Sequence, residues 1–280
     1  MKECKIGTVT LVNDDSEKDI GNQKSDSQDL IFHDPLFDWE AALSRSRLIQ
    51  SERILRVGGN LASVNYPITN IEIAAIVAES CPELSLKECI TVQQGTAYKT
   101  IRGLPRRTMT ILVWHKGPIT ERKFYANKDI GRIGHAIYAP EKVHVLTDLM
   151  DYKQHYPNRK RGGKTVHVGA MAPWLVRNIL HCYVRPGDTV YDSFGGAGTV
   201  PAICNVNNIT CRSVELDKDY FEVMKKEVRR PNTYRTLQII NASQKAVDKA
   251  YEDNSRATNK LGTSKTGRSS NSKEKTSTKA

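Results

Sequence analysis

The sequence predicts an α/β fold: a doubly wound, mostly parallel sheet with a small basic insertion. Three observations predict it. Short β-type runs alternate with amphipathic helical runs along most of the chain, which is the pattern of βαβ units. A glycine-rich turn, DSFGGAGT at 192–199, joins one such run directly to a helix. With 39% hydrophobic residues, a chain of 280 can build a sizeable core.

The elements follow in order. IGTVTLV (6–12) alternates like a strand, and the polar stretch NDDSEKDIGNQKSDSQ after it reads as surface. Leu30-Ile31-Phe32 is a short buried-type strand running into His33-Asp34-Pro35-Leu36-Phe37, where the proline stops it. Residues 39–56 read as one helix ended by Gly58-Gly59, with Trp39, Ala42, Leu43, Leu48, Ile49 and Leu55 on one side. Strand 61–66, helix 70–80 and strand 108–114 come next. From 116 to 165 the pattern weakens while basic residues and glycines increase. Helix 172–184, strand 188–193, helix 199–206, strand 209–215 and helix 217–230 complete the folded part. In such sheets ligands bind at the carboxyl ends of the strands, so the turns at 33–37 and 192–199 are expected to open onto one cleft.

The net charge of +11 suits a polyanionic partner, most simply nucleic acid. Residues 253–280 hold almost nothing that can be buried and are expected to form a disordered basic tail carrying +5 of that charge. Residues 1–252 then form a single domain, still basic. The six cysteines show no CxxC and no Cys/His ligand spacing, so no metal site is expected. The opening residues carry no secretory leader, and no apolar run approaches the roughly 20 residues that span a bilayer. These features point to an intracellular, cytoplasmic protein of a bacterial or phage-infected cell, with no membrane partner. The number of subunits, a dimer included, stays open.

The glycine turn is neither GxxxxGK[ST] nor GxGxxG, so it matches neither common phosphate loop. An acid, Asp192, stands in front of it, and a second, Glu215, ends the next strand 23 residues later. Glycines let a ligand approach the main chain, and a carboxylate at the next strand end suits the paired hydroxyls of a ribose. An acid there disfavours phosphates and favours a neutral or cationic nucleoside. S-adenosyl-L-methionine, with its ammonium and sulfonium, is such a ligand; a plain structural turn is the other reading.

Several weak motifs then occur in one order. Asp29-Leu-Ile-Phe-His-Asp34-Pro35-Leu36-Phe37 comes early, followed by RILRVGGNL (53–61) and VWHKG (113–117). Pro173-Trp-Leu175 opens a helix before Gly187-Asp-Thr-Val-Tyr-Asp192-Ser-Phe194-Gly195-Gly196-Ala-Gly198-Thr199, and VELDKDYFEVMKKEVRR (214–230) closes the series. Over roughly 6–230 the chain resembles the β class of amino DNA methyltransferases, which methylate adenine N6 or cytosine N4. The resemblance implies a Rossmann-like methyltransferase fold with S-adenosyl-L-methionine as cofactor and DNA as partner. It implies cofactor contacts at Asp192, Phe194, Gly195, Gly196, Gly198, Thr199, Glu215 and, after the first strand, Asp14. It places base chemistry at Asp34, Pro35, Leu36 and Phe37. Three positions depart from the family pattern: Leu36 for the second proline, Ala172-Pro173 for Lys-Pro, and Asp-Ser-Phe for Asp-Pro-Phe.

In the implied reaction the Asp34 carboxylate and the Pro35 carbonyl accept hydrogen bonds from the exocyclic amine, while Phe37 stacks on a base taken out of the duplex. Cytosine-C5 chemistry, which needs a Pro-Cys nucleophile, does not fit, because only Cys81-Pro82 occurs. An aspartate at the first motif position leans towards adenine N6. The alternatives are a cytosine-N4 enzyme and a catalytically impaired, DNA-binding subunit of the same fold, the latter raised by Leu36. Segment 151–164 carries five Lys/Arg against one acid, interleaved with Tyr152, His155 and Tyr156, and is the candidate for DNA contact within a target-recognition insertion at 116–165.

Overall fold

The computed structural model describes residues 2–35, 39–98, 106–118, 149–152, 160–161, 164–165, 171–184 and 187–230. Leu36, Phe37, most of the 116–165 insertion and the 253–280 tail lie outside the described residues.

Nine strands form one sheet. In chain order they are β1 (Lys2–Ile6), β2 (Val9–Asn13), β3 (Gln28–His33), β4 (Leu55–Asn65), β5 (Leu84–Tyr98), β6 (Arg106–Lys116), β7 (Leu149–Tyr152), β10 (Thr189–Asp192) and β11 (Thr210–Glu215). Two short strands, β8 (Lys160–Arg161) and β9 (Lys164–Thr165), pair separately. The sheet order is β1-β2-β11-β10-β3-β4-β6-β5-β7. From β2 to β4 all neighbours run parallel; β1 and β6 join antiparallel.

Alternation along the strands sends successive side chains to opposite faces. Leu30, Phe32, Val190, Ala62 and Val64 belong to one buried cluster. It packs against α5 (Pro173–Tyr183), α6 (Thr199–Val206) and α7 (Lys218–Val228). Ile31, Tyr191 and Leu61 belong to the other, under α1 (Ser16–Gly21), α3 (Arg45–Ile54) and α4 (Pro67–Ser80). Both faces of the central sheet are therefore covered, as expected of a doubly wound fold.

Local chemistry sets the helix starts. Asp217 caps α7 by accepting from the Asp219 and Tyr220 amides, and Phe221, Met224 and Val228 form its buried stripe. Ser44 caps α3 through the Arg47 amide, and Pro67 occupies the first turn of α4, where no amide hydrogen is needed.

Three expectations are corrected. The first alternating run is a hairpin, β1 and β2, turned at Gly7 with φ 58°, and not one strand over 6–12. The helix at 39–56 is broken into α2 (Trp39–Ala42) and α3, separated by the Ser44 cap. Gly58-Gly59 does not end a helix. It lies inside β4, where the pairing jumps from Gln28↔Leu55 to Leu30↔Asn60. Gly58 has φ 98°, and a Cβ on Gly59 would sit 3.0 Å from the Asp29 carbonyl oxygen, so the bulge needs both glycines. Strand β5 was not foreseen; its run LSLKECITVQQGTAY mixes charges with apolar residues and has no clean period.

The buried Asp19 on α1 ties this frame together. It accepts from the Arg212 guanidinium (Nε to Oδ2 2.9 Å) on β11 and from the Tyr191 hydroxyl at 3.0 Å on β10. Replacing Asp19 with leucine leaves the mostly buried Arg212 short of its main partner and is expected to lower stability by about 3 kcal/mol in urea denaturation. Glu3→Ala removes only the half-exposed partner of Arg212 and is expected to change it by less than about 1 kcal/mol.

Candidate active site

The connection after β10 enters α6 on one face of the sheet, and the connection after β3 leads to α3 on the other. Adjacent parallel strands whose connections diverge leave a crevice at their carboxyl ends. Five parallel strands end along that edge, and the residues there are Asp14, Glu215, Asp192, Asp34 and Asn65, in sheet order. The structure thus brings the four acids singled out in the sequence to one edge of the sheet.

Each acid sits differently. Asp192 is 1% exposed; its Oδ2 accepts from the Ser213 hydroxyl at 2.7 Å and its Oδ1 from the Phe194 amide at 3.3 Å. Burial pushes its carboxyl up to about 7, against the pull of those two donors. Asp34 is pushed up to about 8, first by burial and then by the neighbouring Asp192 charge. Glu215 is also raised by burial, opposed by the backbone amides it accepts from: Gly196 at 2.7 Å and Asp217 at 2.8 Å. The Asp14 side chain accepts from the Asp15 amide at 2.8 Å. Three carboxyls held above their ordinary range form an environment that disfavours anions and attracts a cation.

The glycine turn has a different cause from the one expected. A Cβ on Gly195 would lie 2.6 Å from Met224 Sδ and 2.7 Å from Ser213 Oγ. Gly198 has φ 85°, and its Cβ would lie 2.9 Å from Met224 Cα. These two glycines are demanded by the close approach of α7. Gly196, with φ 50°, gives its amide hydrogen to Glu215 and so carries the turn to the next strand end. Thr199 opens α6 and donates its hydroxyl to the Met171 carbonyl at 3.3 Å.

Sequence reasoning missed a second group on the opposite face of the turn. The buried His33 ring meets Phe194 edge-on at 5.3 Å, and its Nε2 lies 3.2 Å from the Ala42 carbonyl oxygen. Burial lowers the His33 pKa to about 4, so the ring is neutral and donates that hydrogen. Arg47 lies over Phe194 at 5.1 Å and reaches Glu17 at 3.4 Å and Asp15 at 3.8 Å. Phe194 is thereby held between the turn after β2 and the segment after β3. The one available signal was Phe194 itself, an aromatic in a turn with no core to fill.

The residues fit a cationic nucleoside. Glu215 retains acceptor capacity for ribose hydroxyls at the strand end, and the raised carboxyls around Asp192 favour a positive ligand. Among the described residues no group of His, Cys, Asp or Glu is arranged to hold a metal ion, and no helix is long and apolar enough to cross a membrane.

Gly198→Ala adds a left-handed strain to a contact with the α7 backbone. It is expected to lower stability by about 2 kcal/mol and to weaken nucleoside binding, read by thermal denaturation and calorimetry.

Comparison with known proteins agrees with this geometry. The crystal structure of the M1.HpyAVI–SAM complex superposes with a TM-score of 0.57 at 17% identity, covering 79% of this chain and 98% of that one. TTHA0409 of Thermus thermophilus, a DNA modification methylase solved with S-adenosyl-L-methionine, gives 0.56 at 16% identity, covering 82% and 97%. PvuII DNA methyltransferase, cytosine-N4-specific, gives 0.61 at 14% identity, covering 89% and 93%. At such identities the likeness is one of fold. The type II methyltransferase M.XycI of Xanthomonas campestris pv. cyanopsidis is 37% identical over 54 residues, and the match spans 18% of its length. The DNA methylase family model matches residues 41–226, two thirds of the chain. The chain therefore belongs to the N6/N4 DNA methylase family, whose methyl donor is S-adenosyl-L-methionine.

Proposed function

We propose that the protein transfers a methyl group to the N6 amino group of adenine in DNA. The observation that carries this reading is the placement of Asp34-Pro35 at the end of β3, beside the glycine turn on β10, with an aspartate at the first motif position. The bound cofactor supplies an electrophilic methyl on a sulfonium. The chain's task is to present the amine. Its lone pair is delocalised into the base ring, so Asp34 and the Pro35 carbonyl accept its two N–H bonds and localise the pair towards the methyl. Phe37, outside the described residues, stacks on the base after it leaves the duplex. A carboxyl whose pKa lies near 8 can also hold the proton that the methylated amine gives up.

Glu215, Asp192 and the turn Phe194–Thr199 hold the cofactor in this reading, with Asp14 at the neighbouring strand end. Contact with DNA falls to the basic stretch 151–164, of which only short strand segments are described, and to the basic tail. Cytosine N4 is the second reading, favoured by the superposition on PvuII DNA methyltransferase. A catalytically impaired subunit is the third, because Leu36 stands where the family pattern has proline.

Unmethylated DNA incubated with the protein and labelled cofactor, then digested to nucleosides for mass spectrometry, separates them. N6-methyladenine is expected. N4-methylcytosine assigns the same chemistry to the other base, and cofactor binding without transfer points to the impaired subunit. Asp34→Asn keeps the size of the side chain but loses its charge; it is expected to lower turnover by about 100-fold while cofactor affinity changes by less than about threefold.

A further inference from the structure

The row of acids along the carboxyl edge ends in a neutral amide. β4 is the fifth parallel strand, next to the strand that carries Asp34, and it finishes at Asn65. Its pairing with β3 stops at His33↔Ser63, while its pairing with β6 continues to Asn65↔Thr110. Asn65 therefore stands beyond the point where the β3 chain has turned away into Asp34-Pro35.

A directional network fixes how Asn65 is oriented. Asn70 of α4 places Nδ2 2.9 Å from the Thr110 carbonyl oxygen, a pure acceptor, so that end of the amide is the donor. Its Oδ1 must then accept, and the Ser63 hydroxyl donates to it at 2.9 Å. With its hydrogen spent, Ser63 Oγ can only accept, and Asn65 Nδ2 donates to it at 3.2 Å. Thr110 Oγ1, 2.9 Å from Asn70 Nδ2, closes the network towards the Asn65 carbonyl at 3.4 Å. One hydrogen of Asn65 Nδ2 is thus committed. The second, and Oδ1, have no partner among the described residues. Asn65 is half-buried, so these groups reach the surface at the strand end.

We infer that Asn65 contacts the methylated base, its second Nδ2 hydrogen donating to a ring nitrogen beside the amino group. This rests on the reading of the site as an amino methyltransferase. Once Asp34 and Pro35 have taken both amine hydrogens, the polar atoms left on an adenine are ring nitrogens, and those on a cytosine are N3 and O2. All are acceptors, so the partner they need is a donor. A neutral amide provides one without adding a further charge to the acid row. Ser63 and Asn70 act at one remove, as positioning residues that hold the amide.

The test is a cycle combining protein and base deletions. Sites methylated by the parent on plasmid DNA are mapped first. Duplex oligonucleotides carrying one such site are then made with the target base present, or with an abasic position in its place. Asn65→Leu is expected to weaken binding of the intact duplex about tenfold and to leave the abasic duplex unchanged, with cofactor affinity as in the parent. Ser63→Ala, which keeps Asn65 but removes its tether, is expected to lose a smaller part of the same coupling. Should Asn65→Leu unfold, the isosteric Asn65→Asp enters the same cycle and is expected to lose the coupling too. Equal losses on both duplexes, or none on either, would overturn the contact while leaving the methyltransferase reading intact. A parent that methylates neither adenine nor cytosine amino groups overturns both together.

Discussion

The placement of four carboxyls at the ends of adjacent parallel strands is the constraint on which the rest depends. Parallel pairing from β2 to β4 forces every carboxyl end to the same edge. The divergence of the connections after β10 and β3 opens that edge into a crevice. Acids in such a place cannot all ionise cheaply, and burial raises Asp34, Asp192 and Glu215 together. A ligand carrying positive charge relieves what an anion would aggravate. The preference for a sulfonium and ammonium cofactor over a phosphate is therefore a consequence of topology plus four residue choices.

The frame that holds these acids is built from interactions remote from the chemistry. At the opposite end of the sheet Asp29 accepts from the Thr189 amide at 2.8 Å and from Arg56, pinning β10 to β3 and β4. The glycine turn is fixed by Met224 and Ser213, and its aromatic residue by His33 and Arg47. Cofactor turn and base turn thus share neighbours, and a disturbance in one is transmitted to the other by packing.

Much of this was legible in the residues. Helix 199–206 and strand 209–215 were readable almost to the residue, because an apolar run, glycines and an acid mark their limits. Asp34, Asp192 and Glu215 each followed such a run, so parallel pairing sufficed to collect them. What was not legible depended on distance in sequence. Gly58-Gly59 looks like a helix stop until Asp29 and the register of β3 show a bulge. Gly195 and Gly198 look like room for a ligand until Met224, from the far side of the next strand, is seen against them. Asn65 sits in an ordinary strand, and only the hydrogen-bond directions through Ser63, Asn70 and Thr110 give it an orientation.

The central claim is that the acid row is poised for a cation. With carboxyls near 8 and 7, the protein without ligand holds protons that an unfolded chain releases above about pH 4, so its stability falls as pH rises from there through 8. A cation bound at the row favours the ionised forms, and binding must expel protons. Isothermal titration of S-adenosyl-L-methionine at pH 7, in buffers of differing ionisation enthalpy, reads that number directly. The account predicts release of about one proton, with affinity rising between about pH 6 and 8. Binding with no proton release and a flat pH profile would contradict it.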